Sequence, residues 1–419
     1  MSALLDEMNA LGAAAKVASS TLALASGDQK NRAILAAASS IRSEAATIQQ
    51  ANENDMDAAE AAGLSKAKLD RLLLTPERIE AMAVGLESVA ELVEPVGKVL
   101  AEWTRPNGLK IRRVSTPLGV IGVIYESRPN VTADAAALCL KAGNATILRG
   151  GGDSFHSSSA ILSAFQMGLV EAGLPKTAVQ SVSTKDREAV GHMLAMTQYI
   201  DVVVPRGGKS LVQRVQEDAR VPVFSHLDGV NHTYVDAYAD LKMAVAIAVN
   251  AKMRRTGICG AMETLLIHRD IANSYLPLVT QALLAQGCEL RGDDASRAIV
   301  PTLVKANHDD WSTEYLDSIL AVKVVAGMDE ALNHINSFGS RHTEVIVTED
   351  QENADHFAAK VDAAIVMHNT SSQFADGGEF GMGAEIGIST GRLHARGPVG
   401  ADQLTSFKYI VLGSGQLRS

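Results

Sequence analysis

Between residues 119 and 227, short runs rich in aliphatic and β-branched residues (119–125, 145–149, 178–183, 199–204 and 221–226) alternate with segments of helical spacing. Such alternation predicts a parallel sheet, because parallel neighbours need a crossover of a dozen or more residues and crossover helices bury both sheet faces. Gly143 and the Gly173-Leu174-Pro175 run fall where helices stop. A second alternating block, 262–367, has strand-like runs at 264–267, 319–325, 345–348 and 363–368, and predicts a second α/β domain. Sheets of this kind bind ligands beyond the carboxyl ends of their strands, so the loops that follow strands are where chemistry is sought.

The remainder frames these blocks. Residues 1–95 read as helical, with a start signal at Thr75-Pro76-Glu77 and a stripe of Ile79, Met82, Leu86, Val89 and Leu92. Residues 103–114 read as a hairpin whose Asn107-Gly108 pair would supply the positive dihedrals of a two-residue turn. Residues 404–412 read as a last strand.

At 419 residues the chain exceeds one ordinary core, and two or three domains are expected. Its 38 Lys and Arg against 48 Asp and Glu give a net charge of -10, which disfavours nucleic acid or an anionic membrane as partner. Asp6 and Glu7 stand where a secretory leader carries cations, and no apolar run approaches the ~18–20 residues of a membrane span, so a cytoplasmic protein is expected. Cys139, Cys259 and Cys288 are odd in number and far apart, which supports neither a disulfide framework nor a zinc site. The eleven histidines show no metal-binding spacing, and His334 and His342, flanking a helix end, read as solvated or capping residues. No metal is expected.

Two glycine turns could hold phosphate. Gly150-Gly151-Gly152 and Pro205-Arg206-Gly207-Gly208 each lie between a strand and a helix, where backbone N–H groups and the helix N-terminus attract anions. Neither is the Gly-x-Gly-x-x-Gly fingerprint, and read alone each turn is as well explained by structure as by a ligand. Arg149 adjoins the first turn, which lacks the carboxylate that grips two ribose hydroxyls, a pattern that goes with a 2′-phosphate. Cys259 lies between Gly257 and Gly260, after Lys252, Arg254 and Arg255, a setting in which cations lower a thiol pKa. Read alone, a single cysteine is more often inert, and Cys139 and Cys288 read as packing residues. No Gly-x-Ser-x-Gly elbow is present, which argues against a serine hydrolase.

Six stretches carry a more specific signal: Tyr125-Glu126-Ser127-Arg128-Pro129-Asn130, Leu140-Lys141-Ala142-Gly143-Asn144-Ala145, Val204-Pro205-Arg206-Gly207-Gly208, the Cys259 loop, Arg341-His342-Thr343-Glu344 and Leu393-His394-Ala395-Arg396-Gly397-Pro398. In these, and through nearly its whole length, the sequence resembles the γ-glutamyl phosphate reductases, a branch of the aldehyde dehydrogenase superfamily. The resemblance implies NADPH-dependent reduction of L-glutamyl 5-phosphate to L-glutamate 5-semialdehyde and phosphate through a cysteine thioester, the second step of proline synthesis. An aldehyde-oxidising dehydrogenase of the same superfamily is the alternative. The implied fold is aldehyde-dehydrogenase-like α/β: a cofactor-binding domain (1–102 and 118–228, with a return segment about 369–400), a catalytic domain (229–368), and a hairpin and C-terminal strand (103–117 and 401–419) that serve oligomerisation. A homo-oligomer is therefore expected, and glutamate 5-kinase is a candidate partner.

By position, the resemblance makes Cys259 the nucleophile and places Gly207 and Gly208 on the cofactor pyrophosphate, with Gly150, Gly151 and Arg149 beside it. Glu314 would hold the nicotinamide ribose. Asn130 is the candidate oxyanion ligand, since Arg128-Pro129-Asn130 stands where the superfamily carries Asn-Phe-Pro. Arg128, Lys252, Arg254 and Arg255 are candidates for the substrate phosphate or carboxylate. His226-Leu227-Asp228-Gly229 stands where oxidising members carry Glu-Leu-Gly-Gly, and Gly260 where this branch is expected to carry a polar residue.

Overall fold

The computed structural model describes residues 3–418, which fall into two units. The first runs to Ser225 and regains the chain at Gly381–Gly387 and from Val399 on; the second comprises His226–Phe380 and Ile388–Pro398.

The first unit opens with helices α1 (Ala3–Leu22), α2 (Gly27–Ser43), α3 (Ala45–Ala61), α4 (Lys66–Leu72) and α5 (Pro76–Glu91). α5 starts where the sequence predicts: Thr75 Oγ1 accepts a hydrogen bond from the Arg78 N–H at 3.3 Å, Pro76 occupies the first turn, and Ile79, Met82, Leu86 and Val89 are buried. Strands β1 (Val99–Thr104) and β2 (Lys110–Pro117) form the expected hairpin, but not through a two-residue turn. Only Gly108 has a positive φ, +86°, while the Arg105 N–H reaches Leu109 O at 2.8 Å and the Gly108 N–H reaches Arg105 O at 2.9 Å. A loop of this kind needs a single left-handed residue, and Asn107 uses its side chain instead, accepting from the Leu109 N–H at 3.3 Å.

β3 (Val120–Tyr125), α6 (Val131–Lys141), β4 (Ala145–Arg149), α7 (Phe155–Glu171), β5 (Val179–Ser181), α8 (Glu188–Ala195), β6 (Val202–Arg206) and α9 (Lys209–Asp218) build a parallel sheet of order β5-β4-β3-β6. Every residue of β3 is buried, as a strand covered on both faces requires. The fifth run expected at 221–226 makes only one bridge, between Val223 and Val203. Pro222 accepts from the Val203 N–H at 2.8 Å but has no N–H of its own with which to extend the ladder.

In the second unit, β7 (Asn231–Val235), α10 (Leu241–Met253), β8 (Met262–His268), α11 (Arg269–Leu284), β9 (Glu289–Gly292), α12 (Asp294–Ile299), β10 (Val304–Lys305), β11 (Ile319–Val325), α13 (Met328–Phe338), β12 (Thr343–Val347), α14 (Gln351–Lys360) and β13 (Ile365–His368) form a seven-stranded parallel sheet. Its order is β10-β9-β11-β8-β7-β12-β13. β7, β9 and β10 carry no hydropathic signal in the sequence. β7 begins Asn-His-Thr yet is buried throughout, because its polar groups are paired inside: His232 Nδ1 lies 2.9 Å from a Glu344 carboxylate oxygen that also accepts from the His232 N–H. Two short antiparallel strands, β14 (Ile388–Ser389) and β15 (Gly397–Pro398), complete this unit. Back in the first unit, β16 (Thr405–Leu412) pairs antiparallel with β2 along its whole length, giving a three-stranded sheet of order β1-β2-β16.

Candidate active site

Cys259 sits between α10 and β8, on a loop fixed from below. Asn231, at the start of β7, donates from Nδ2 to Cys259 O at 2.5 Å and to Ala261 O at 2.8 Å, and accepts from the Thr343 N–H at 3.1 Å. Gly229 packs so closely that a Cβ there would lie 2.2 Å from Cys259 O. Its own N–H donates to Glu314 Oε1 at 2.9 Å. The loop backbone is thus held by one buried amide and one residue without a side chain, while the thiol stays partly exposed. Cys139 and Cys288 are buried, and burial pushes their thiols up to about 12 and about 11. Of the three, only Cys259 is accessible to a substrate.

Two histidines face that sulfur. The Cys259 Sγ and one ring nitrogen each of His226 and His342 all lie within 4.8 Å of one another, and the two rings meet edge to face at 5.0 Å. His226 Nδ1 is 2.8 Å from Ile388 O. A carbonyl can only accept, so Nδ1 carries a proton and, in the neutral ring, Nε2 holds the lone pair. His342 is no solvated or capping residue: it is fully buried, with Nδ1 2.8 Å from Thr343 Oγ1. Burial, reinforced by His226, holds it well below the ordinary imidazole range, so it is neutral at physiological pH. His334 is buried as well.

The expected anion ligands separate on inspection. Arg254 and Arg255 are exposed at the entrance of the loop. Arg254 Nη1 donates to Gln373 Oε1 at 3.4 Å and lines a cavity of about 410 Å³ with Asn250, Asn369, Ser371 and Glu379. Lys252 is different: it is fully buried, its Nζ 2.6 Å from Glu263 Oε2, and this pairing removes it from the anion ligands. Arg128 and Asn130 belong to the first unit, on the turn after β3. The Asn130 amide donates to Asp134 Oδ2 at 2.9 Å, and burial raises that carboxyl to about 6 despite Asn130 and Arg206.

The two glycine turns differ in their fit to a dinucleotide phosphate. At the β6–α9 turn the Gly208 N–H donates to Glu126 Oε2 at 3.2 Å, and a Cβ on Gly207 would lie 2.7 Å from the same oxygen. A helix N-terminus that already holds a carboxylate fits an anion, and a Cβ at Gly208 would meet nothing within 4 Å. At the β4 turn, Gly150 lies against the Tyr125 ring and a Cβ on Gly151 would strike Asp153. Arg149 does not extend toward a ligand: it is 6% exposed and its guanidinium donates to the carbonyls of Gly150, Lys185 (3.1 Å) and Asp186 (3.2 Å). It organises the loop that carries the exposed Lys185 over Gly152.

The sequence profile of the aldehyde dehydrogenase family matches residues 3–290 and 282–408. The chain belongs to this family. Among its aldehyde dehydrogenase relatives, a γ-glutamyl phosphate reductase of Paramagnetospirillum magneticum is 60% identical over 411 residues, 98% of this chain and 97% of the relative. The crystal structure of the γ-glutamyl phosphate reductase of Thermotoga maritima matches with a TM-score of 0.97 at 44% identity, covering 99% of this chain and all of that one. An engineered glycolyl-CoA reductase with bound NADP+ shares the fold at a TM-score of 0.66 and 19% identity, covering 97% of this chain and 96% of its own.

Within the family framework, Cys259, Glu314, Arg254 and Arg255 fall in the second unit, and Asn130, Arg128, Arg149 and the four glycines in the first. The sequence assigned no role to Asn231 or Lys185, and Glu126 and Thr343 entered only as members of the specific stretches. Asn231 offered a signal, since a polar residue opening a strand between buried runs must have its hydrogen bonds satisfied inside.

Proposed function

We infer that the chain, an oxidoreductase, reduces γ-glutamyl phosphate to glutamate 5-semialdehyde and phosphate with NADPH, the reaction of proline synthesis for which its 60%-identical relative is named. The observation that carries this reading is the accessible Cys259 beside two imidazoles, on a loop whose backbone is already fixed.

His226, its Nδ1–H engaged by Ile388 O, accepts the thiol proton at Nε2, and the Cys259 thiolate attacks the acyl carbon. The Cys259 N–H donates to the developing oxyanion, an interaction of ~3–4 kcal/mol in a preorganised site. The C–O bond to phosphate breaks, and an acyl thioester remains on Cys259. When bound, NADPH would supply the hydride for reduction at the acyl carbon held on Cys259. As the C–S bond breaks, His226 holds the proton that returns to sulfur. Arg254 and Arg255 take the anionic groups of the substrate, Arg254 from the wall of its cavity. The β6–α9 turn with Gly207 and Gly208 would hold the cofactor pyrophosphate, at the Gly208 N–H that Glu126 engages here. Lys185, presented by Arg149, takes the 2′-phosphate.

The test is NADPH oxidation with freshly prepared γ-glutamyl phosphate, matched mole for mole by phosphate release. Mass spectrometry without NADPH is expected to find one glutamyl group on Cys259, and Cys259→Ala to abolish both signals while still binding NADPH. Turnover by that variant would overturn the thioester route.

A further inference from the structure

We propose that Cys259, His226 and His342 form a binding site for a soft divalent transition-metal ion, Zn2+ foremost, which caps the nucleophile and holds the enzyme reversibly inactive. Spacing in the sequence gives no hint of it, because the three ligands come from the segment before β7, the loop before β8 and the residue before β12. The fold brings one ligand atom of each within 4.8 Å of the others.

Three features of the cluster suit a metal. A thiolate with two imidazoles is a donor set that zinc takes in tetrahedral sites, leaving one position for solvent. Both histidines have Nδ1 occupied, His226 by Ile388 O and His342 by Thr343 Oγ1, which is the outer-shell arrangement that turns Nε2 into a metal ligand. His342 Nε2 is buried without a hydrogen-bond partner, and such an orphaned ring nitrogen carries a desolvation cost that an ion would relieve once Thr343 Oγ1 takes the ring proton at Nδ1. With Zn–S near 2.3 Å and Zn–N near 2.0–2.1 Å, a tetrahedral ion needs its ligand atoms about 3.5 Å apart. From separations within 4.8 Å the cluster therefore closes by at most about 1.3 Å, a movement the half-buried His226 and the loop thiol can make. Binding replaces the thiol proton, which leaves to solvent, and forms coordinate bonds from Sγ and two nitrogens; no covalent bond of the chain breaks and no electron is transferred.

The experiment needs neither substrate nor nicotinamide, so its outcome is separate from the reductase reading. Metal-free, full-length protein without a histidine tag is titrated with Co2+. The expected result is one equivalent bound, with a sulfur-to-cobalt charge-transfer band in the near ultraviolet, intense tetrahedral d–d bands in the visible, and displacement of both by Zn2+. Cys259→Ser is expected to lose the charge-transfer band. Thr343→Val, which removes only the partner of His342 Nδ1, and His226→Gln are expected to weaken binding by about 10- to 100-fold. These variants keep the test decisive where His342→Ala fails to fold. Absence of the charge-transfer band from the unsubstituted protein would overturn the proposal, as would wild-type affinity in both Thr343→Val and His226→Gln.

Discussion

At the scale of single residues, the division of labour among cations carries a first prediction. The Arg149 guanidinium is engaged by three carbonyls, so discrimination between NADPH and NADH is expected to fall to Lys185. Lys185→Ala is expected to raise the KM for NADPH about tenfold, the effect of one charge-assisted hydrogen bond, and to leave that for NADH unchanged. Steady-state kinetics with both cofactors checks this; equal changes would show that Lys185 does not read the 2′-phosphate. A second prediction concerns His226, which by the resemblance stands where oxidising members are expected to carry a water-activating glutamate. A general base of that kind contributes ~10²–10⁴ in rate, whereas His226, by the route inferred above, holds the thiol proton at Nε2 while the thioester waits and so has no lone pair to offer a water. Oxidation of glutamate 5-semialdehyde with NADP+ is therefore expected to require added phosphate or arsenate. Sustained NADPH formation in phosphate-free buffer would favour hydrolysis of the thioester instead.

At the scale of elements, the segment between β14 and β15 is fastened by charge. Asp362, just before β13, accepts from Arg396 Nη2 at 2.8 Å and from Arg392, and these hydrogen bonds lower its carboxyl to about 2. The folded pKa lies below the ordinary 3.8, so the stabilisation is complete above that value and is lost as pH falls toward about 2. Both arginines are partly or largely exposed and solvent screens them, so Asp362→Asn is expected to cost no more than about 1 kcal/mol near neutrality. Urea unfolding of the two proteins across pH should show a constant gap above about pH 5 that closes in acid. A gap independent of pH down to the acid limb would assign the effect to packing.

At the scale of the whole molecule, β16 is an edge strand with an apolar face. Phe407, Tyr409 and Val411 are 45%, 56% and 56% exposed, and Trp103 of β1 meets Tyr409 edge to face at 6.2 Å. Exposed apolar strands at a sheet edge invite pairing with another chain. We expect the protein to self-associate through this sheet, and Tyr409→Glu with Val411→Glu to sediment as a smaller species with unchanged circular dichroism. An unaltered sedimentation coefficient would place any interface elsewhere.

The sequence by itself determined the α/β class, the α5 start and the hairpin, while it marked Cys259 as a nucleophile only through the family resemblance. The class, the helix start and the hairpin rest on local causes: helix caps, strand–helix alternation and turn residues. Lys252 was misread although its signal was local too: it lies on the α10 face of Ala244, Ala248 and Ala251, all buried, and four residues after Ala248 it had to point inward. The tertiary structure alone decided which side chains meet. His342 and Asn231 are polar residues inside a core, and hydropathy assigns such residues to the surface because it does not register the partners that satisfy them. The grouping of His226, Cys259 and His342 likewise follows from the order in which β8, β7 and β12 lie side by side in the sheet, a long-range choice that no window of sequence contains.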